Sequence, residues 1–338
     1  MSAVGTIQAT APQPEAARRI DPDPGALVEA IRAGDVRACA RLITGIERGT
    51  PGLEPVLREL YRRGGRSRVV GVTGPPGAGK STLIDRMIGG WRARGATVAV
   101  LAIDPSSPFT GGAVLGDRLR MGSHGGDRGV FIRSMASRGQ LGGLARAAGD
   151  ALTVLDAMPW DVVIVETVGV GQNETDIMRH ASVVVLLQTP MGGDDVQASK
   201  AGITEIGDIF VVNKSDHPDA ARTARHLQEM IALSHRLHLE RPWVPPVVKT
   251  RATEGEGVGE LIDRIGECFQ ALEGGSSFAR ERRLARVRHR VGEILREQFE
   301  KRVSDDGSRW LDALLDPILR RENDPHTVAD QLFARMKH

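Results

Sequence analysis

A glycine-rich segment has the residue types and the spacing that hold phosphate. Residues 74–81 read Gly-Pro-Pro-Gly-Ala-Gly-Lys-Ser, the pattern of a glycine, four residues and then Gly-Lys-Ser. Backbone N–H groups of such a loop curl around a β-phosphate, and the following helix adds partial positive charge. Lys80 would bridge the β- and γ-phosphates, and the Ser81 hydroxyl would bind Mg²⁺. The predicted nucleotide contacts of this loop are Gly74, Gly77, Ala78, Gly79, Lys80, Ser81 and Thr82.

A second motif, Asn213-Lys214-Ser215-Asp216, follows the apolar run 209–212. The Asp216 carboxylate can accept hydrogen bonds from both N1–H and the N2 amino group of guanine, a donor pair that adenine lacks. Asn213 would hold the loop and contact the base, and the Lys214 stem would cover the face of the base. Arg251-Ala252 stands where a backbone N–H would meet guanine O6, although Arg251 departs from the usual serine. The two motifs together predict GTP or GDP rather than ATP.

Acidic residues close two of the predicted strands. Asp104 follows the run 98–103 and Glu166 follows the run 162–165. In a parallel sheet both would emerge at the carboxyl edge, so we expect Asp104 as a magnesium ligand and Glu166 as a second, direct or through water. The alternative for each is a helix cap or turn acid. Asp117, in the polar loop 104–117, could reach the magnesium or activate water, and a surface role is equally consistent. The predicted catalytic residues are Lys80, Asp117 and Glu166.

The segment after Glu166 lacks a residue that Ras-like proteins use for hydrolysis. It reads Thr-Val-Gly-Val-Gly-Gln over residues 167–172, and Val170 stands where the water-orienting glutamine would be. We therefore expect slow hydrolysis by the isolated protein and acceleration by a partner. Gly169 and Gln172 belong to this predicted switch. The loop 189–200, which contains Asp194, is either a further mobile loop or an ordinary connection.

The elements that would position these residues alternate between short β-branched runs and helices. This pattern predicts an α/β P-loop NTPase with a mainly parallel central sheet flanked by helices. The expected strands cover residues 69–72, 98–103, 162–165, 183–187, 209–212 and, more weakly, 246–249. The expected organisation is a disordered leader over 1–23, an N-terminal helical extension over 24–66, the P-loop GTPase domain over 67–275 and a C-terminal helical dimerisation arm over 276–338.

The tail has apolar residues at heptad-like spacing among many arginines. Leu284, Val287, Val291 and Ile294 share one side, and six arginines between residues 280 and 290 crowd the others. Two interpretations compete, a solvated helix packed on its own domain and a dimerisation arm. Nucleic-acid contact is a distant third.

Composition limits the other classes of function. The chain has 338 residues, with 45 basic against 43 acidic residues, a formal charge of +2 and only 4% aromatic residues. These values favour neither a nucleic-acid partner nor an anionic membrane. No apolar run approaches the ~20 residues that would span a bilayer. Cys39 and Cys268 have no zinc or redox spacing, so we expect buried, reduced thiols in a cytoplasmic protein.

The motifs resemble the methylmalonyl-CoA-mutase-associated GTPases of the MeaB/ArgK type, over roughly residues 25–275. The matching segments are 74–83, 102–107, 111–112, 116–117, 166–172, 192–194 and 213–216. The resemblance implies a homodimeric, metal-dependent GTPase that acts as a chaperone of an adenosylcobalamin-dependent acyl-CoA mutase. It would gate cofactor delivery and protect or rescue the mutase. By position it also implies Asp104 and Glu166 at the metal, Asp117 in the first switch, and Gln197 and Lys200 in the third switch.

Two other functions have related cores. A nickel-insertion GTPase usually has clustered histidines or cysteines, whereas the nine histidines here are dispersed along the sequence. A transport-linked or amino-acid kinase would need an acceptor pocket and a base, and no motif in the sequence indicates either. The sequence leaves the client open among methylmalonyl-CoA, isobutyryl-CoA and 2-hydroxyisobutyryl-CoA mutases.

Overall fold

The computed structural model describes residues 23–104, 124, 126–136, 143–167, 175, 178–190, 207–237, 242–273 and 276–335. The elements in chain order are α1 (Pro24–Arg32), α2 (Val36–Glu47), α3 (Glu54–Arg63), β1 (Arg68–Thr73), α4 (Lys80–Ala93), β2 (Val98–Asp104), β3 (Val130–Ala136), α5 (Gly143–Asp156), β4 (Val162–Thr167), β5 (Val183–Gln188), β6 (Ile209–Asn213), α6 (Ala220–Leu237), β7 (Val247–Thr250), α7 (Val258–Glu273), α8 (Ser277–Leu319) and α9 (Pro325–Arg335).

The seven strands form one parallel sheet in the order β3-β2-β4-β1-β5-β6-β7. Each neighbouring pair runs parallel, and β1, in the centre, pairs with β4 on one side and β5 on the other. Strands β4, β5 and β6 are buried along their whole length, as expected for a sheet covered by helices on both faces. The predicted α/β fold is confirmed.

The sequence interpretation missed strand β3. This strand lies at one edge of the sheet and pairs only with β2 among the described residues. Its sequence, Val-Phe-Ile-Arg-Ser-Met-Ala, carries polar residues in the middle, so it does not read as a continuous apolar run. The Arg133 guanidinium is half-buried and contacts Glu47 and the Thr44 hydroxyl of α2. An edge strand tolerates such a residue because only one side of it is paired.

Two hydrophobic layers cover the sheet. On one face, α1, α2, α3 and α5 pack side chains such as Ile31, Leu42 and Leu60 over Leu101 and Val163. On the other face, α4 and α7 pack over β1 and β2, with Leu83, Met87, Ile265 and Phe269 among the buried side chains. The three N-terminal helices therefore belong to the same core as the sheet. Cys39 and Cys268 lie in these two layers as buried free thiols, as predicted.

Side-chain caps determine where several helices begin. The Asp35 carboxylate accepts hydrogen bonds from the backbone N–H groups of Arg37 and Ala38, at 2.8 and 3.0 Å, so α2 starts directly after it. Ser276 accepts a 3.2 Å hydrogen bond from the Ala279 N–H and caps α8 in the same way. These short polar residues satisfy backbone donors that the first helical turn leaves unpaired.

Helix α8 is 43 residues long, and its first half packs on the body through polar contacts. Arg282 binds both carboxylate oxygens of Asp208, at 2.5 and 2.9 Å. Further along the helix, Arg290 binds Asp150. The same half exposes Leu284, Val287, Val291 and Leu295. The structure is thus consistent with both interpretations of the tail. The helix packs on its own domain, and its exposed apolar stripe is what a dimerisation arm would need. Among the described residues, no helix is both long and apolar enough to cross a bilayer.

Candidate nucleotide-binding site

The glycine-rich loop joins the end of β1 to the start of α4. Gly74 has φ +152° and Gly79 has φ +88°, both in the region that favours glycine. A Cβ on Gly74 would lie 2.5 Å from the Leu187 carbonyl oxygen, and one on Gly79 would overlap the Asn213 amide. These two positions therefore require glycine, and the loop backbone can curl tightly at the central strand of the sheet.

The Lys80 ammonium lies inside the loop. Its Nζ donates hydrogen bonds to the carbonyl oxygens of Gly74 at 2.7 Å and Pro75 at 3.0 Å, and the residue is buried. Lys80 is also the first residue of α4, where the helix dipole favours anions. The Lys80 ammonium and the N-terminus of α4 together make this loop a favourable binding site for phosphate.

A hydroxyl and a carboxylate meet beside the loop. The Ser81 Oγ donates a 2.8 Å hydrogen bond to Oε1 of Glu166, which is buried at the end of β4. Octahedral Mg²⁺ with bonds of 2.0–2.1 Å holds neighbouring ligand oxygens about 2.9 Å apart, so this pair fits the ion that the sequence predicts. Asp104 ends β2 at the same edge, because Ile103 lies opposite Thr167 in the β2–β4 register.

Asn213, at the end of β6, connects three parts of the site. Its Nδ2 donates to the carbonyl oxygen of Ala78 at 2.8 Å. Its Oδ1 accepts from the Thr250 hydroxyl and from the Ala252 N–H, each at 3.1 Å. All of these groups are buried. The phosphate loop and the turn after β7 are thus held by one side chain.

The predicted base-reading residues lie on an exposed turn. Lys214 adopts φ +57°, a left-handed conformation, and the Asp216 side chain is 57% exposed. The Arg251 guanidinium lies 4.0 Å from an Asp216 oxygen and 3.8 Å from Glu254. The N–H of Arg251 donates to Glu256, and that of Ala252 donates to Asn213. Contact of this backbone pair with guanine O6 stays a prediction.

Sequence reasoning missed several residues that support the site. Arg86 of α4 donates to the carbonyl oxygens of Ala252 at 3.2 Å and Thr253 at 2.7 Å, which holds the turn after β7. The hydroxyls of Thr73 and Thr167 form a buried 2.9 Å hydrogen bond where β1 and β4 end. Because these partners are far apart in sequence, no local pattern indicates them.

Seven of the predicted functional positions lie outside the described residues. They are Asp117, Gly169, Val170, Gln172, Asp194, Gln197 and Lys200. For Asp104 the structure describes the backbone but not the side chain.

Comparisons with known proteins found similar sequences and a similar solved structure. A family model described as methylmalonyl-CoA mutase-associated GTPase MeaB matches residues 39–308. A putative GTPase of Pyrococcus horikoshii is 45% identical over 310 residues, covering 92% of this chain and 97% of the relative. The GTPase ArgK of Escherichia coli is 35% identical over 323 residues, covering 90% and 94%. A solved structure described as LAO/AO transport system kinase has a TM-score of 0.63 at 28% identity, covering 93% and 98%.

Proposed function

Because the chain belongs to the family of methylmalonyl-CoA mutase-associated GTPases, we propose that it is a nucleotide-dependent chaperone of an adenosylcobalamin-dependent acyl-CoA mutase. The chain is a P-loop GTPase, and its relatives are named GTPases. The proposal concerns the purpose of the GTP cycle: to gate cofactor delivery and to protect or reactivate the mutase. The observation that carries it is the family match over residues 39–308.

The phosphate end of GTP would lie in the glycine-rich loop. Lys80 would exchange its bonds to the Gly74 and Pro75 carbonyls for bonds to β- and γ-phosphate oxygens. Ser81, Glu166 and Asp104 would hold Mg²⁺, which neutralises charge that develops on those oxygens. The 2.8 Å contact between Ser81 and Glu166 supports this assignment, since both oxygens are already at the spacing that the ion requires.

The guanine end would lie at the turn after β6. The exposed Asp216 carboxylate would accept from N1–H and the N2 amino group, with the Lys214 stem over the face of the base. Asn213 would keep this turn in register with the phosphate loop through its contact with Ala78. A nucleotide that bridges both ends would therefore meet a preorganised frame, which lowers the ordering cost of binding.

Hydrolysis would be slow until a partner acts. Val170 carries no polar group to orient water at the position where Ras-like proteins have glutamine. GTP would then serve as a timed signal, and the mutase would supply or position the missing group. The predicted switch residues Gly169, Gln172, Asp194, Gln197 and Lys200 would transmit the nucleotide state to the client.

Turnover measured with purified mutases tests this function. The protein is mixed with methylmalonyl-CoA, isobutyryl-CoA or 2-hydroxyisobutyryl-CoA mutase, and phosphate release is followed. We expect one of them to raise GTP turnover, and a Lys80→Ala variant to abolish the increase. Adenosylcobalamin loading of that mutase, read from its visible absorption, should differ between GTP and a non-hydrolysable analogue. Unchanged turnover with all three mutases would contradict the chaperone proposal.

The exposed apolar stripe on α8 would be the interface of a homodimer. Leu284, Val287, Val291 and Leu295 follow one another at spacings of three or four residues and lie on one face. A Val287→Glu, Val291→Glu double variant should sediment as a monomer. An Arg296→Glu variant, at an exposed position on another face of the same helix, should keep the wild-type mass. Equal masses for the wild type and the double variant would exclude this face as the interface.

Kinase activity is a second candidate, because the solved relative with a TM-score of 0.63 is described as a transport system kinase. The two activities differ in where the γ-phosphoryl group goes. Radiolabelled GTP should yield free phosphate as the labelled product if the protein is a hydrolase. Label on an amino acid or on a co-purifying protein would instead support the kinase.

A further inference from the structure

Three potential metal ligands meet where α8 packs on the body of the protein. His289 and Glu293 are four residues apart on α8, so their side chains share a face. His180 lies on the segment just before β5. Nε2 of His180 is 3.1 Å from Oε2 of Glu293, and Nε2 of His289 is 3.3 Å from Oε1. The ligand atoms of all three residues lie within 4.8 Å of one another.

The cluster is enclosed. The side chains of His180, His289 and Glu293 are 9%, 12% and 6% exposed, respectively. The two imidazole rings are tilted at 57° with centroids 5.6 Å apart, so they do not stack, and both direct Nε2 at the same carboxylate. Enclosure limits competition from bulk water for the three ligand atoms.

The distances fit a tetrahedral cation. Zinc bonds of about 2.0–2.1 Å place neighbouring ligand atoms roughly 3.3 Å apart. The Nε2 atoms of His180 and His289 each lie 3.3 Å from the same oxygen, Oε1 of Glu293, which matches this value. Small rotations of the carboxylate and one imidazole would bring the third separation into range. Two histidines and a glutamate are also a ligand set that zinc uses with water in the fourth position.

The nearby charges allow a cation. Arg290 donates to Oε2 of Glu293 at 3.3 Å, and its charge opposes a dication there. Arg290 is, however, also bound by the Asp150 carboxylate and by the Arg146 carbonyl oxygen at 3.1 Å. These partners keep it in place, and its hydrogen bond to Oε2 does not compete with a metal on Oε1. Asp150 pairs with both Arg290 and Arg146, and Arg146 also pairs with Glu297. Two carboxylates thus face these two guanidinium groups, and Glu293 supplies the negative charge that offsets the metal.

We propose that His180, His289 and Glu293 bind one Zn²⁺-class cation that joins α8 to the segment before β5. The cluster shares no residue with the predicted magnesium site. Its two nitrogen ligands suit zinc, whereas Mg²⁺ prefers oxygen ligands. Since β5 pairs directly with the central strand β1, the cation would tie the long helix to the middle of the sheet. It binds the folded state and would raise thermal stability.

Metal analysis of the full-length protein tests the proposal. Protein stripped with a chelator is incubated with Zn²⁺ in excess Mg²⁺ without nucleotide, and bound zinc is measured after gel filtration. We expect one zinc per chain and a higher melting temperature. His180→Gln and His289→Gln should lower zinc affinity at least tenfold, because each removes an imidazole ligand. Glutamine is chosen because it keeps an N–H that can donate to Glu293. His226→Gln, at an exposed position on α6, should bind like the wild type.

Two results would overturn the site. One is equal zinc binding by the wild type and both glutamine variants, which would leave a hydrogen-bonded cluster only. The other is loss of zinc in His226→Gln as well. If a variant unfolds, Co²⁺ bound to the wild type decides instead: intense visible bands of tetrahedral Co²⁺ that Zn²⁺ displaces support the site, and their absence excludes it.

Discussion

The side-chain amide of Asn213 donates a 2.8 Å hydrogen bond to the carbonyl oxygen of Ala78, which ties the end of β6 to the phosphate loop. The same side chain accepts from the Thr250 hydroxyl and the Ala252 N–H at 3.1 Å. A residue predicted to contact the base is thus also the brace between two loops. Substitutions in the turn after β6 and in the phosphate loop should therefore have coupled effects on the protein.

Asn213→Ala should destabilise the protein and weaken GDP binding together. Truncation leaves the buried Ala78 carbonyl and Ala252 N–H without this partner, at ~1–3 kcal/mol for each unsatisfied group. We expect the free energy of unfolding in urea to fall by about 2–4 kcal/mol, and calorimetric GDP affinity to fall at least tenfold. Thr250→Val removes only one of the three bonds and should cost less. An unchanged unfolding midpoint for Asn213→Ala would contradict the brace.

Ser81→Ala should lower GTP hydrolysis at least tenfold, equivalent to about 1.4 kcal/mol of barrier. It removes the hydroxyl that lies 2.8 Å from Glu166, so the Mg²⁺ concentration for half-maximal activity should also rise. Ser81→Thr keeps the hydroxyl and serves as the matched control. Steady-state phosphate release over a Mg²⁺ series measures both effects. The same Mg²⁺ midpoint in both variants would argue against a metal ligand at this position.

Asp216→Asn should change the base preference from guanine to xanthine. The variant loses two hydrogen bonds to a charged acceptor, at ~1.5 kcal/mol or more each, so GTP affinity should fall on the order of 100-fold. The asparagine amide can donate to the carbonyl that xanthine carries at C2, so XTP should bind more tightly than GTP. Competition binding with GTP, XTP and ATP measures this, and Asp219→Asn is the control. Retained GTP preference would exclude Asp216 as the base reader.

Asp161 should contribute stability that is lost in acid. Hydrogen bonds from the backbone N–H of Thr97, at 2.7 Å, and from its hydroxyl, at 2.8 Å, lower the pKa of this carboxyl. Because the folded pKa is depressed, the contribution is complete above the unfolded pKa of about 3.9 and disappears as pH falls through the folded pKa. Asp161→Asn should therefore lower the urea midpoint at pH 7, with a shrinking difference below about pH 4. A difference independent of pH would refute this linkage.

The two thiols should react only after unfolding. Burial raises the pKa of Cys39 to about 12, against a smaller opposing effect of Arg133, and burial also raises that of Cys268. At pH 8 only ~1 in 10⁴ Cys39 thiols would be ionised, and the thiolate is the reactive form. A disulfide reagent should titrate no thiol in the native protein and two in guanidinium. Rapid native labelling of either thiol would contradict its placement in the core.

Local patterns were enough for most elements of the sheet. The runs around Val69, Val98, Val162, Val183 and Ile209 were predicted as strands, and each is one, because both faces of a covered parallel sheet demand continuous apolar residues. The prediction failed for β3, where Arg133 interrupts the pattern at an edge strand. The pattern of the tail is ambiguous for a similar reason. Arginines on a helix give the same sequence pattern whether they face water or pair with carboxylates such as Asp208.

The sequence by itself determined the nucleotide chemistry and the fold class, since the glycine loop and Asn213-Lys214-Ser215-Asp216 act through local backbone and side-chain geometry. Only the tertiary structure decided which distant groups meet: Ser81 with Glu166, Asn213 with Ala78, and His180 with His289 and Glu293. Two of the nine histidines, which are far apart in the sequence, form an enclosed cluster with Glu293. Strand order and helix docking bring such pairs together, and neither is encoded in the spacing of neighbouring residues.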